Sequence, residues 1–298
     1  MTYLLLSKDA TLYSVRRFMQ AARAMRVPLQ YVNPLELSIS QGRGGFTLLH
    51  KGRPLPRLSG VINRFGPRGL AFGRLVSHFC AVAGIPVINP FTSLIYSKNK
   101  FHTLCRARAL SIPVPDTCIP AFAGDLHNPR ALQIPPPYVV KVMVGTQGIG
   151  VVKAGDLQAL QSVADYLWAR AELFMIQHLY QADEIQADVR LLFLGPQCLG
   201  GVQKQPSTQD FRGNFHRGST FSRFMPGAQM EKQARRLVED AGVLFAAVDF
   251  LLLKNGEALL LELNDSPGFE GFESCHGRFV AEKVLEFLLA GKAGLAPG

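Results

Sequence analysis

The sequence predicts an α/β unit followed by an α+β region, together making about three compact parts. Over the first 95 residues, short apolar strands alternate with helical patterns, the signature of a largely parallel sheet. Beyond a proline-rich connection, strands come in neighbouring pairs with fewer helices between them. The length, 298 residues, also exceeds one ordinary domain of about 100–200 residues.

The elements follow in order. Tyr3–Leu6 reads as a buried strand, and Leu12, Val15, Phe18, Met19 and Ala22 mark a helix by their spacing. Gln30–Val32 is the next strand, and 46–53 reads as a hairpin. Gly60–Arg64 is a strand, followed by a helix near 69–83 and a short strand at 86–88. A helix over 98–109 leads into the connection 119–137. Its Pro135-Pro136-Pro137 run can continue neither a helix nor a central strand. Strands are then expected at 138–142, 150–153 and 174–177, with a helix at 156–171. The last third predicts strands at 188–194, 197–203, 248–254 and 258–263, and helices at 229–242 and 278–289. The expected boundaries are 1–95, 96–185 and 186–298.

Charge is distributed unevenly. Residues 1–100 carry 14 Lys/Arg against Asp9 and Glu36, a net of 14 − 2 = +12; the remainder carries 18 against 20, a net of −2. Such a basic third fits nucleic acid, an acidic membrane surface or an acidic substrate. The N-terminus lacks the basic start and apolar run of a signal peptide. The most apolar stretch, 244–253, is ten residues long and contains Asp249, too short to span a bilayer. Five dispersed cysteines with no Cys-x-x-Cys pair argue against a disulfide framework or a zinc ribbon and fit a cytoplasmic protein.

Three constellations carry chemistry. The first is Lys141 at a strand end, followed by Gly145, Thr146, Gln147, Gly148, Ile149 and Gly150. Glycines let backbone N–H groups approach phosphate oxygens and lysine supplies a point charge, although a plain hairpin turn has the same appearance. The pattern is neither a Walker loop nor G-x-G-x-x-G. The second is Asp249, 13 residues before Glu262, with Asn264 two further on. On paired strands these oxygens share one face, as suits a hard cation, Mg²⁺ or Mn²⁺; structural ion pairs are the competing reading. The third is Asp210–Gly218, a glycine-punctuated stretch holding Arg212, Asn214, His216 and Arg217, which reads as an anion-handling loop or a solvated basic one.

In combination these motifs resemble the ATP-grasp superfamily, and within it the RimK-like, ribosomal-protein-S6 glutamate ligase family. The resemblance runs over nearly the whole chain. It is carried by Leu6–Ser14, Ser97-Lys98-Asn99-Lys100, Val140–Val152, Asp210–Gly218 and Glu262–Gly271. It implies a Rossmann-like pre-ATP-grasp domain followed by a two-subdomain ATP-grasp fold. It also implies ATP-dependent joining of an amino acid, possibly glutamate, to a peptide or small-molecule carboxylate through an acyl phosphate.

By the same resemblance, Lys100 and Lys141 contact ATP and Gly145–Gly150 folds over its phosphates. Gln177, His178, Leu179 and Tyr180 match the hinge whose backbone reads adenine; the family usually has Glu where His178 stands. Asp188 matches the ribose residue, and Asp249, Glu262 and Asn264 match ligands of two metal ions. Arg212 with Asn214 is assigned to charge developing at the transferring phosphate, and Arg190, Lys204 and Arg217 to substrate. The pattern departs at Lys204-Gln205, where close relatives of the S6 ligase carry two adjacent arginines, so glutamate is the weaker part of the inference. The expected partners are an amino acid and an acidic peptide or protein tail, with no membrane, in a homo-oligomer. The alternatives are a basic nucleic-acid binder and a non-ligating ATP-binding regulator. Dispersed basic residues and the lack of a nucleic-acid motif count against the first, and the complete lysine and metal-ligand sets against the second.

Overall fold

The computed structural model describes residues 2–65, 69–143, 150–204 and 221–291, the side chains of residues 95 and 96 excepted. The chain opens with β1 (Thr2–Ser7), α1 (Tyr13–Ala24) and β2 (Leu29–Val32). A separate antiparallel sheet follows, built of β3 (Leu37–Gly42), β4 (Gly45–His50) and β5 (Arg53–Pro54). The expected hairpin is β4–β5; β3 adds to it, and the alternation of Leu37-Ser38-Ile39-Ser40 is the signal for that strand. Then come β6 (Leu58–Arg64), α2 (Leu70–Val82) and β7 (Val87–Ile88).

The first sheet runs β2-β1-β6-β7, all parallel. The uninterrupted apolar run in β1 follows from burial on both faces. Leu5 packs with Val15 and Phe18 of α1, while Leu4 and Leu6 pack with Val76 and Cys80 of α2.

The helix expected over 98–109 is α4 (Lys100–Ala109), and a short helix that was not expected, α3 (Phe91–Ser97), precedes it. Asn99 divides them: its backbone is extended and its Oδ1 accepts from the Phe101 and His102 amides at 3.0 and 3.2 Å. β8 (Thr117–Cys118) precedes the proline-rich connection, which holds one 3₁₀ turn, Ala123–His127. The second sheet adds β9 (Tyr138–Val142), β10 (Val151–Ala154) and β11 (Phe174–His178), in the antiparallel order β10-β9-β11-β8. Between β10 and β11, α5 (Leu157–Ala169) is capped by Asp156 and covers one face of this sheet.

The third sheet contains β12 (Ile185–Leu194), β13 (Gln197–Lys204) and β14 (Phe221–Phe224). After α6 (Ala228–Asp240) come β15 (Phe245–Leu253) and β16 (Ala258–Asn264), then α7 (Glu270–His276) and α8 (Val280–Leu289). The order is β14-β13-β12-β15-β16, antiparallel throughout. One face, including Val189, Leu191, Phe193, Val248 and Leu263, packs on Ala234, Leu237 and Val238 of α6. On the opposite face Leu192, Leu194, Val202 and Ala247 join α1 and α8 in a core that crosses from the first unit to the third.

Polar bonds fasten the same seam. Glu273 accepts from the Tyr13 hydroxyl at 2.7 Å, the Arg17 guanidinium at 2.9 Å and two backbone amides, and Arg17 also bonds Glu282. Burial and the Glu273 hydrogen bond push the Tyr13 hydroxyl up to about 12. All five cysteines are free, and among the described residues no helix is long and apolar enough to cross a membrane.

Candidate active site

The third sheet's inward face changes character along its length. Towards α1 and α8 it is apolar; beyond Leu192 it carries Arg190 and Asp188, beside Lys204, Asp249, Glu262 and Asn264. The strand register produces this grouping. Asp188 lies opposite Lys204, Arg190 opposite Asp249, and Asp249 opposite Glu262. A bulge after Asp249 resets β16, so Glu262 and Asn264 share the face while Leu260 and Leu263 turn to the α6 side.

The contacts refine the roles expected from the sequence. Arg190, expected at the substrate, donates from its Nε and one terminal nitrogen to the two oxygens of Asp249, each at 2.7 Å. Lys204, expected at the substrate, is 3% exposed and faces Asp188, the residue expected at ribose. The Asn264 Oδ1 accepts from the Ser266 amide at 2.9 Å.

The second sheet supplies the opposite wall. Lys141 on β9 donates to Gln177 Oε1 at 2.7 Å, and Gln177 Nε2 donates to Thr117 Oγ1 at 2.8 Å. The lysine is thus held by its neighbour strand while Glu262, Asp188 and Lys100 act on its charge. In the expected hinge, the Leu179 amide donates to Pro137 O at 2.8 Å. His178 Nδ1 lies 3.2 Å from Pro135 O. Gly150 has φ +78°, and a Cβ there would stand 2.4 Å from Val142 Cγ2; only glycine enters β10 at this point. Gly145, Thr146, Gln147, Gly148 and Ile149 lie outside the described residues, as do Arg212, Asn214 and Arg217.

Four cations (Lys100, Lys141, Arg190, Lys204) and three carboxylates (Asp188, Asp249, Glu262) share this space, a formal 4 − 3 = +1. Burial lowers Lys141 to about 8, Glu262 opposes that, and Lys100 adds to it. Lys100 is lowered by burial against the pull of Glu262. Glu262 is raised by burial and by the neighbouring Asp249 carboxylate, with Lys100 and Arg190 opposing. Burial also raises Asp188. Burial thus pushes Lys100 and Lys141 towards neutrality and Asp188 and Glu262 towards protonation, the neighbouring opposite charges only partly offsetting it.

The positioning residues were not evident from local pattern. Ser97 and Lys98 both bond the buried Asp265 carboxylate, and Lys98 also donates to Phe65 O at 3.0 Å. Ser97, Lys98 and Lys100 thus act on the stretch 262–265, and Asn99 caps the helix that carries Lys100. Asn89 donates to Asp265 O at 2.6 Å and Phe245 O at 2.7 Å, and accepts from the Leu244 and Phe245 amides.

Comparison with known families now decides the relationship. The RimK-like ATP-grasp domain matches residues 97–288, and the RimK PreATP-grasp domain matches residues 1–94. The chain belongs to the RimK-like ATP-grasp family. It is an ATP-grasp ligase, of the class that forms C–N bonds. A "Probable alpha-L-glutamate ligase" of Stenotrophomonas maltophilia (strain R551-3) is 31% identical over 95% of this chain and 96% of its own length. The ATP-grasp ligase PsnB, complexed with minimal precursor, aligns at TM-score 0.75 and 18% identity over 97% of this chain and 99% of its own. The macrocyclase MdnC, bound with precursor peptide MdnA from Microcystis aeruginosa MRC, aligns at 0.71 and 18% over 97% and 100%. The RimK-like ATP-grasp fold brings ATP and Mg²⁺ with it, and the donor set fits a divalent ion. Asp249 and Glu262 are opposed carboxylates, the second raised by burial and then by the first, and Asn264 adds a neutral oxygen on the same face.

Proposed function

We propose that this protein joins an amino acid to the carboxylate of an acidic peptide or protein tail, using ATP and an acyl-phosphate intermediate. The observation that carries the reading is the convergence of Lys100 and Lys141 with Asp188, Arg190, Asp249 and Glu262 between two sheets. The glutamate-ligase names of relatives favour glutamate as the amino acid, and the precursor peptides bound by MdnC and PsnB favour a peptide acceptor.

Lys141, braced by Gln177, and Lys100 receive the phosphate oxygens; their depressed basicity is restored once phosphate charge arrives. Asp188 faces the ribose. The acceptor carboxylate attacks the γ-phosphorus, its oxygen forming the new P–O bond as ADP leaves. The amino group then attacks the acyl carbon, inorganic phosphate departs, and the nitrogen gives up a proton to leave an amide. Asp249, Glu262 and Asn264 would hold Mg²⁺ or Mn²⁺, which when bound neutralises phosphate charge. Arg190 keeps the Asp249 carboxylate oriented, and each carboxylate oxygen retains a lone pair for a cation. Arg212 and Asn214 meet charge developing on the transferring group, and Arg217 holds a substrate carboxylate. Replacing Arg212 is expected to lower kcat with little change in KM; an effect on KM alone would remove that role.

The direct experiment incubates the protein with ATP, Mg²⁺, labelled amino acids and cell extract, and measures products by mass spectrometry alongside ADP release. A mass increment of one or more amino-acid residues on a peptide is expected. Failure of every amino acid and acceptor pair to stimulate ADP release would sink the reading.

A further inference from the structure

Arg64 ends β6 in the first unit, 8% exposed, with its guanidinium 5.8 Å from the Phe18 ring and 5.9 Å from the Phe269 ring. One terminal nitrogen donates to Pro267 O at 2.9 Å and Ser266 O at 3.3 Å. Its Nε and other terminal nitrogen are buried and find no acceptor among the described residues, and burial lowers the group to about 10. A guanidinium with two unpaired nitrogens is poor cement, since each unpaired polar group costs on the order of 1–3 kcal/mol. Cement is in any case supplied here by Arg17, Asn89 and the apolar core. A methionine would fill the space between two phenyl rings at less cost. What the arginine adds is a long reach to two carbonyls of one loop.

That loop follows directly from β16. The residue whose carbonyl Arg64 holds, Ser266, gives its amide to Asn264 Oδ1 at 2.9 Å. We propose that Arg64 is a positioning residue for the metal site: from the N-terminal sheet it fixes the Ser266–Pro267 backbone, and through the Ser266 amide it sets the side-chain oxygen of Asn264. The inference rests on Asp249, Glu262 and Asn264 being the metal ligands. Groups standing behind metal ligands typically govern affinity by about 10–100-fold.

The test uses the full chain with ADP and Mn²⁺, reading free Mn²⁺ by electron paramagnetic resonance, metal-free ADP binding by calorimetry, and Tm. Arg64→Met is expected to weaken Mn²⁺ binding about ten-fold or more, leaving metal-free ADP binding and Tm near those of the parent. Arg64→Lys, which keeps the charge and one donor, is expected to lie between. Parent-like Mn²⁺ binding by Arg64→Met would overturn the inference, as would a joint fall of Mn²⁺ binding, ADP binding and Tm. If Arg64→Met does not fold, Arg64→Lys decides: weakened Mn²⁺ binding supports the role and unchanged binding removes it. Glu262→Gln separates the two levels. Parent-like Mn²⁺ binding there defeats the metal-site reading itself, whereas its loss beside intact binding in Arg64→Met defeats only the role of Arg64.

Discussion

Glu273 and Glu262 are both carboxylates drawn into the interior beside an arginine, yet their surroundings are opposite. Glu273 is fully provided for: a tyrosine hydroxyl, a guanidinium and two backbone amides donate to its two oxygens at 2.7–3.0 Å. Glu262 sits against the Asp249 carboxylate, whose own oxygens are bonded to Arg190, and is pushed towards protonation. Two like charges 4 Å apart repel by about 4 kcal/mol at an effective dielectric of 20. The first cluster is satisfied by donors that join α1 to α7 and α8, and the second is left with its carboxylate raised by burial and by Asp249. Buried charge alone does not mark a functional site; incomplete compensation does.

The contrast can be broken in order of expected effect. Glu273→Gln leaves Arg17 and Tyr13 facing a neutral group, and breaking such a pair costs about 3–5 kcal/mol. Calorimetry should show a large fall in Tm, with ATP binding retained in the folded fraction; loss of ATP binding without loss of Tm would reverse the assignment. Glu262→Gln should do the opposite. Turnover is expected to fall on the order of 10²–10³-fold, while the apo protein keeps or raises its Tm because a strained carboxylate is gone. A Tm fall matching that of Glu273→Gln would make Glu262 structural.

The third prediction concerns pH. Lys141 titrates at about 8 in the fold against 10.5 for the free side chain, so folding releases its proton between those values. The unfolded chain binds more protons there, and apo stability from this group rises with pH over the window. Nucleotide affinity needs the charged lysine and should fall over the same interval. Lys141→Arg should flatten that decline; a pH-independent Kd for ADP in the parent protein would exclude Lys141 from phosphate binding. The smallest effect is on the acceptor. If the net +12 of residues 1–100 attracts an acidic peptide through its exposed part, raising ionic strength should increase acceptor KM several-fold with little change in kcat. An unchanged KM would assign that charge elsewhere.

Much of the architecture was legible before any coordinates. The pairing of Asp249 with Glu262 was anticipated from a spacing of 13 and strand periodicity, and the register places them opposite each other. The short elements β3, β8, β14, α3 and α7 were not anticipated. Most are stabilised by what they pack against, as α7 is by β13 and β14, so local pattern carries little of their signal. Arg190 was expected to hold a substrate; its bidentate bond to Asp249 spans 59 residues, and no local pattern reports such a partner.

The sequence by itself determined which side chains share a strand face and which segments are too apolar for water, because both follow from periodicities of two and 3.6 residues. It also determined the family, through motifs whose order and spacing rarely arise twice. Only the tertiary structure decided which charges are satisfied. Asn63, Arg64 and Asn89 read in the chain as ordinary polar residues, and packing joined them with Asp265 into the frame of a loop. Protonation and hydrogen-bond satisfaction depend on burial and on partners up to 265 residues away, quantities that exist only once the chain has folded.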